Sequence, residues 1–386
     1  MQTRPFISTF CPRLAVTASV AALLLACTCA SAFAKDTAPR FRVIGYAVDW
    51  NPAQTGDLDK IDTLIFAFAK VKHDRVVLTD EAAERLNTLV TLKTRDPKLK
   101  VDISVGGWEA GGFSEAARTE AGRKAFADSA TELVVDHGAD GLDIDWEYPG
   151  HHESGIASSP DDRQNFTLLL RAVRTSLDRA AAARGRTGDN VYTLSIAAAD
   201  GPFVSDIDIA AVDKYVDGFN LMTYDFCNAM TPTTCHHAGL HPSKRAPADA
   251  RTTDRAVEQF LAAGVPSRKL VIGAAFYGRE FGGVNPVHDG LYQPYKKFIA
   301  FVPWTELKAD FIDKRGFTRH WDAQAQAAWL WNPKTRTFIS YDDPEALAAK
   351  AAFVKSRHLG GIMYWEQTLD PDDELLDAVW RGLQKR

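Results

Sequence analysis

From residue 41 onward the chain alternates between two patterns of apolar and polar residues. Short runs rich in Val, Ile, Leu, Phe and Tyr occur at 41–48, 62–71, 100–106, 138–145, 191–198, 215–224, 269–277 and 360–365. Several are apolar on both faces, as parallel strands covered by helices should be. Between them, apolar residues recur with helical spacing at 81–96, 120–138, 161–185, 252–264 and 344–358, and several of these segments end at Gly, which accepts a left-handed cap. Eight strand-and-helix units predict an α/β fold of the (β/α)8 TIM-barrel type. The rival is a doubly wound open sheet, but the first βα turn lacks GxGxxG and no phosphate loop follows any strand. The stretch 280–338, between the seventh and eighth strands, is too long for an ordinary barrel loop and has its own Gly, Pro, Trp and Tyr punctuation. It predicts a small α+β insertion, with the barrel formed by 35–279 and 339–386.

The first 34 residues follow a different rule. Arg4 and Arg13 precede an apolar stretch, and Ala32-Phe33-Ala34 fits a small-residue cleavage site. This predicts a secretory signal and a secreted or periplasmic product; lipid attachment at Cys27 is the less favoured alternative. No later run is apolar for long enough to span a bilayer. With Cys11, Cys27 and Cys29 in the leader, Cys227 and Cys235 are the only pair left, and export makes a disulfide between them the expectation. A formal net charge of -5 and no basic run give no reason to expect a nucleic-acid partner. A monomer is expected.

The chemistry gathers at strand ends. In DGLDIDWEYPG, residues 140–150, Asp143, Asp145 and Glu147 alternate with Leu142, Ile144 and Trp146. An extended chain therefore puts three carboxylates on one face, a costly arrangement in a buried strand. Hard cations take carboxylate oxygens, so a Mg2+ or Ca2+ site is one reading of these acids. Asp140, of opposite parity, reads as structural. Other strands end in Ser104-Val105-Gly106-Gly107-Trp108, Met222-Thr223-Tyr224-Asp225, Tyr277 with Arg279, and Trp365. Carboxylates, phenols and indoles at the carboxyl ends of barrel strands suit a sugar, whose C–H faces pack on rings while its hydroxyls meet polar groups. Trp321, Trp329 and Trp331 read as core of the insertion, and His236 and His237 as exposed loop residues.

DGLDIDWEYPG resembles the DxxDxDxE signature of glycoside hydrolase family 18, the chitinases. SVGGW, MTYD, YGR and GGIMYW are similar to further motifs of that family, in order, and the insertion resembles that of its subfamily with deep clefts. The resemblance implies hydrolysis of β-1,4 links between N-acetylglucosamine units of chitin or chitooligosaccharides, with retention and without cofactor or metal. The substrate's own acetamido oxygen would be the nucleophile. Glu147 would then be the acid and base, Asp145 and Asp143 a proton-sharing pair that steers the acetamido group, and Tyr224 a hydrogen-bond donor to it. Tyr46, Phe68, Gly107, Trp108, Tyr148, Met222, Asp225, Tyr277, Arg279 and Trp365 would line the cleft. Alternatives are an endo-β-N-acetylglucosaminidase on N-glycans and a non-catalytic chitinase-like lectin; the latter typically lacks the terminal acid that Glu147 supplies here.

Overall fold

The computed structural model describes residues 41–48 and 57–384. The leader 1–34, including Cys27, lies outside the described residues. The elements in chain order are β1 (Arg42–Val48), β2 (Thr63–Lys72), β3 (Arg75–Val77), α1 (Asp80–Thr91), β4 (Lys100–Gly106), α2 (Phe113–Arg118), α3 (Glu120–Asp136), β5 (Gly141–Asp145), α4 (Asp162–Ala183), β6 (Thr193–Ala198), α5 (Ile209–Val212), β7 (Gly218–Leu221), α6 (Thr253–Ala262), β8 (Leu270–Ala275), β9 (Tyr277–Gly282), β10 (Lys297–Pro303), α7 (Trp304–Glu306), β11 (Thr318–Asp322), β12 (Ala327–Asn332), β13 (Thr337–Tyr341), α8 (Pro344–Ser356), β14 (Gly361–Trp365) and α9 (Glu374–Gln384).

Eight strands pair in parallel in the order β1-β14-β8-β7-β6-β5-β4-β2, and β2 pairs back onto β1 to close the sheet. This is a (β/α)8 TIM barrel. Its strands are buried on both sides, which explains their near-continuous apolar character. Alternation sorts the side chains. On β5, Leu142, Ile144 and Trp146 point into the layer shared with the helices, where Trp146 stacks on Phe113 at 5.4 Å. On the inner side, Ile44, Tyr46, Ile65, Ala67, Val271 and Met363 form a second, smaller cluster.

Helix starts carry recognisable caps. Thr79 accepts from Ala82 N, Thr119 from Gly122 N, and Asp343 from both Glu345 N and Ala346 N just before Pro344. One buried ion pair ties a helix to the barrel: the Lys350 ammonium reaches Asp342, whose carboxylate also accepts from Ala275 N at 3.0 Å.

The expectation that the seventh barrel strand runs on through Tyr277 and Arg279 is corrected. That strand, β8, stops at Ala275, and Tyr277–Gly282 starts a separate five-stranded antiparallel sheet in the order β10-β9-β13-β12-β11. The physical reason is a change of partner: beyond Ala275 the backbone pairs with β10 and β13 rather than with β14. The antiparallel sheet thus runs from Tyr277 to Tyr341, a few residues wider at each end than the 280–338 expected. Trp329 and Trp331 pack with Phe281 and Phe338 in its core, and Trp321 is half-buried.

Candidate active site

The carboxyl end of β5 is the centre. Asp143 is fully buried and accepts four hydrogen bonds, from Tyr46 Oη at 3.0 Å, Ser104 Oγ at 2.8 Å, Ser195 Oγ at 2.7 Å and Asn220 Nδ2 at 3.1 Å. These donors come from β1, β4, β6 and β7, so four other strands converge on one carboxylate. Burial still raises its pKa against their pull. Asp145 lies one layer nearer the mouth, buried, with Oδ1 lacking a hydrogen-bond partner among the described residues. Burial, then the nearby Glu147 and Asp143 charges, push its pKa well above the ordinary carboxylate range. Glu147, past the strand end, is half-buried, and its pKa is pushed up to about 7, chiefly by burial. A cation acting on both is Lys70, whose ammonium donates to Gly106 O at 2.7 Å and sits 4.9 Å from the Phe68 ring centre.

A ring of aromatic side chains surrounds these acids. The Trp365 indole lies 5.7 Å from Tyr46 and nearly parallel to Phe68 at 5.8 Å. Simple alternation would send Phe68 outward beside Phe66. The β2–β4 register slips between Ala67 and Ala69, and this irregularity turns Phe68 inward. Gly107 makes room for it: at φ 90° a side chain would be strained, and a Cβ there would come within 2.7 Å of the Phe68 ring. On the other side Trp108 is 44% exposed, an indole left open as a platform, with Tyr148 edge-on at 6.4 Å. Phe203 extends that wall, 5.1 Å from Tyr148.

Past β7, Met222 is half-buried and Tyr224 is buried with its ring edge-on to Tyr277 at 6.1 Å. Asp225 adopts a left-handed backbone, φ 55°, and accepts a two-pronged bond from Arg279, with Nε at 2.6 Å. Burial opposes its charge, but His237 and Arg279 outweigh that and hold Asp225 below the ordinary carboxylate range. Arg279 in turn lies over the Tyr277 and Phe301 rings, which stack at 4.3 Å. The antiparallel sheet thus supplies one side of the site.

All fourteen expected site residues lie at this end of the barrel, and Cys227 and Cys235 are bonded in the loop after β7. One reading needs correcting. His236 and His237 are buried rather than exposed, because their loop folds under the antiparallel sheet: His237 N donates to Ser340 Oγ at 2.9 Å, and the His236 ring meets Trp329 edge-on at 5.4 Å. Glu366 and Gln367 serve the fold, Glu366 accepting from Thr368 N and Gln367 from Tyr364 Oη. Sequence reasoning missed Lys70, Ser195, Asn220 and His237; inward parity on their strands could have found Ser195 and Asn220. Among the described residues, no group of three His, Cys, Asp or Glu side chains is placed to hold a metal ion.

The family model of glycosyl hydrolases family 18 matches residues 42–370. The chain belongs to that family. This family 18 chain is 38% identical over 313 residues to Chitinase A1 of Niallia circulans, covering 77% of the chain but only 44% of that relative. It is 35% identical over 302 residues to Chitinase 1 of Aphanocladium album, covering 76% of the chain and 68% of that protein. Among solved structures, a family 18 N-acetylglucosaminidase from Paenibacillus barengoltzii superposes with a TM-score of 0.83 at 42% identity, covering 89% of this chain and all of that one.

Proposed function

We propose that this family 18 chain hydrolyses β-1,4 links between N-acetylglucosamine units of chitin and chitooligosaccharides, retaining the anomeric configuration through the substrate's own acetamido group. The observation that carries this reading is the grading of three acids along one strand. Asp143 is held by four neutral donors, Asp145 is crowded, with a raised pKa and one oxygen unpartnered among the described residues, and Glu147, the most open of the three, has a pKa near neutrality. In the mechanism, Glu147 gives its proton to the leaving glycosidic oxygen while the acetamido carbonyl oxygen attacks C1. Asp145 accepts a hydrogen bond from the acetamido N–H, sharing its proton with Asp143 as positive charge grows on the oxazolinium ring. Glu147, now a carboxylate, takes a proton from the water that opens the ring on the same face. Tyr224 donates to the acetamido oxygen, Trp365 lies under the sugar and Trp108 receives the next one.

A second reading has specific support: the similar structure at 42% identity is an N-acetylglucosaminidase, which favours release of single N-acetylglucosamine units. One experiment separates the readings. Chitohexaose is digested beside an N-glycopeptide, and product lengths and anomers are followed in time. Internal cleavage with β-anomer products supports the chitinase; monomer alone supports the second reading; inverted products sink the mechanism. Export is tested by sequencing the amino terminus of the protein recovered outside the cytoplasm, which should begin at Lys35.

A further inference from the structure

The loop between Asp225 and the antiparallel sheet holds a buried group for which the proposed mechanism has no task. His237 is completely buried. Its Nδ1 stands 3.5 Å from Asp225 Oδ1, longer than an ordinary hydrogen bond, and neither ring nitrogen has a closer partner among the described residues. One face of the ring tilts against Tyr277 at 5.3 Å. Asp225 lies two residues before Cys227 and His237 two residues after Cys235, so the disulfide closes the excursion between them. Just outside the bridge, Phe226 N donates to His237 O at 3.0 Å, joining the two arms again.

We infer that this loop is a clamp: the Cys227–Cys235 bridge holds His237 against Asp225, and His237 is a positioning residue that, opposite Arg279, sets the direction in which the Asp225 carboxylate meets the bound sugar. The inference rests on the proposed reading that Asp225 faces substrate. A guanidinium fork alone leaves a carboxylate free to rock about the shared edge, whereas a buried ring nitrogen facing it from a second side, at 3.5 Å, narrows that freedom. The need is real here, since the Asp225 backbone is left-handed and its side chain remains partly open to the cleft. The charged and titratable groups that face it are Arg279 and Tyr277 from β9, His237 from the loop, Tyr224 beside it and Glu147 across the mouth.

The test compares His237→Phe, which keeps a ring against Tyr277 but has no donor, with His237→Gln, which keeps an N–H. Cys227→Ser/Cys235→Ser is made alone and together with His237→Phe. Turnover of chitotetraose is measured across pH, and its binding is measured by calorimetry in the Glu147→Gln background. His237→Phe should raise KM and weaken binding about fivefold, less than the loss of a full bond to a charged group, because the contact is a long one. Its acid limb should move to higher pH, because Asp225 loses a donor that favours the charged form. His237→Gln should recover most of both effects. The cysteine variant should act in the same direction and add little to His237→Phe, since both remove one contact. Should His237→Phe fail to fold, thiol reduction of the wild type, checked by free-thiol titration, must give the same KM rise.

The clamp is overturned if folded His237→Phe stays within about twofold of wild type at every pH, or if the histidine and cysteine losses simply multiply. It is also overturned if the reduced wild type keeps its KM. Activity surviving in Glu147→Gln would instead refute the reading of the site itself. An inactive Glu147→Gln with wild-type His237 variants would refute the clamp alone.

Discussion

The two ends of β5 hold acids in opposite ways. At the barrel floor, Asp140 accepts from Lys93 at 2.6 Å and Arg186 at 3.1 Å, and also from Val101 N at 3.0 Å. At the mouth, Asp143, Asp145 and Glu147 face hydroxyls, an amide and one another, with Lys70 as the cation acting on the last two. Paired charges at the floor tie neighbouring elements together and serve structure. Unpaired acids at the mouth have raised pKa values, a property that suits proton transfer and not stability. Asp102 is intermediate: an inward residue low in the barrel, bonded by Thr193 Oγ1 at 2.8 Å, its pKa is raised to about 7 by burial.

The largest effect should come from the mouth. Glu147→Gln should lower kcat by roughly 10²–10⁴-fold or more while leaving oligosaccharide binding largely intact, as read by steady-state kinetics beside calorimetry. Near-normal turnover would remove Glu147 from its role. At the floor the currency is stability. Asp140→Ala leaves two cations and a backbone N–H without their acceptor, so the denaturation midpoint should fall by an amount equal to roughly 3 kcal/mol. The pH profile of the folded variant should be unchanged; a shifted profile would erase the distinction between the two ends.

Tyr46→Phe removes one of the four donors to Asp143 and should cost about 1.5–3 kcal/mol, divided between activation and stability. The split is read from kcat/KM and thermal melting together. The smallest effect is a shift in pH dependence. Glu147 must be protonated to act as acid, so kcat/KM should fall as pH rises through about 7. Lys70 favours the charged form of Glu147, and Lys70→Met should therefore move that limb to higher pH. A limb moving downward would show that another group governs it.

Legibility followed the range of the interactions. The eight barrel strands and the main helices could be read because alternation and helical spacing are local. The shared face of Asp143, Asp145 and Glu147 followed from parity on one strand. Phe68 could not be read in that way, since its inward turn depends on a slip against β4. Tyr277 and Arg279 were seen as site residues but given to the barrel, because a switch of sheet leaves no mark in a continuous apolar run. His237 was misjudged for a related reason: a histidine in a loop says nothing about the sheet that will cover it.

By itself the sequence determined that three acids share one face at the end of the fourth barrel strand, with aromatic residues at neighbouring strand ends. Only the tertiary structure decided what each acid is. Asp143 meets Tyr46 across 97 positions and Asn220 across 77, and Asp225 meets Arg279 across 54. Proton affinity depends on burial and on such partners, and both arise when distant strands are brought to one end of a closed sheet.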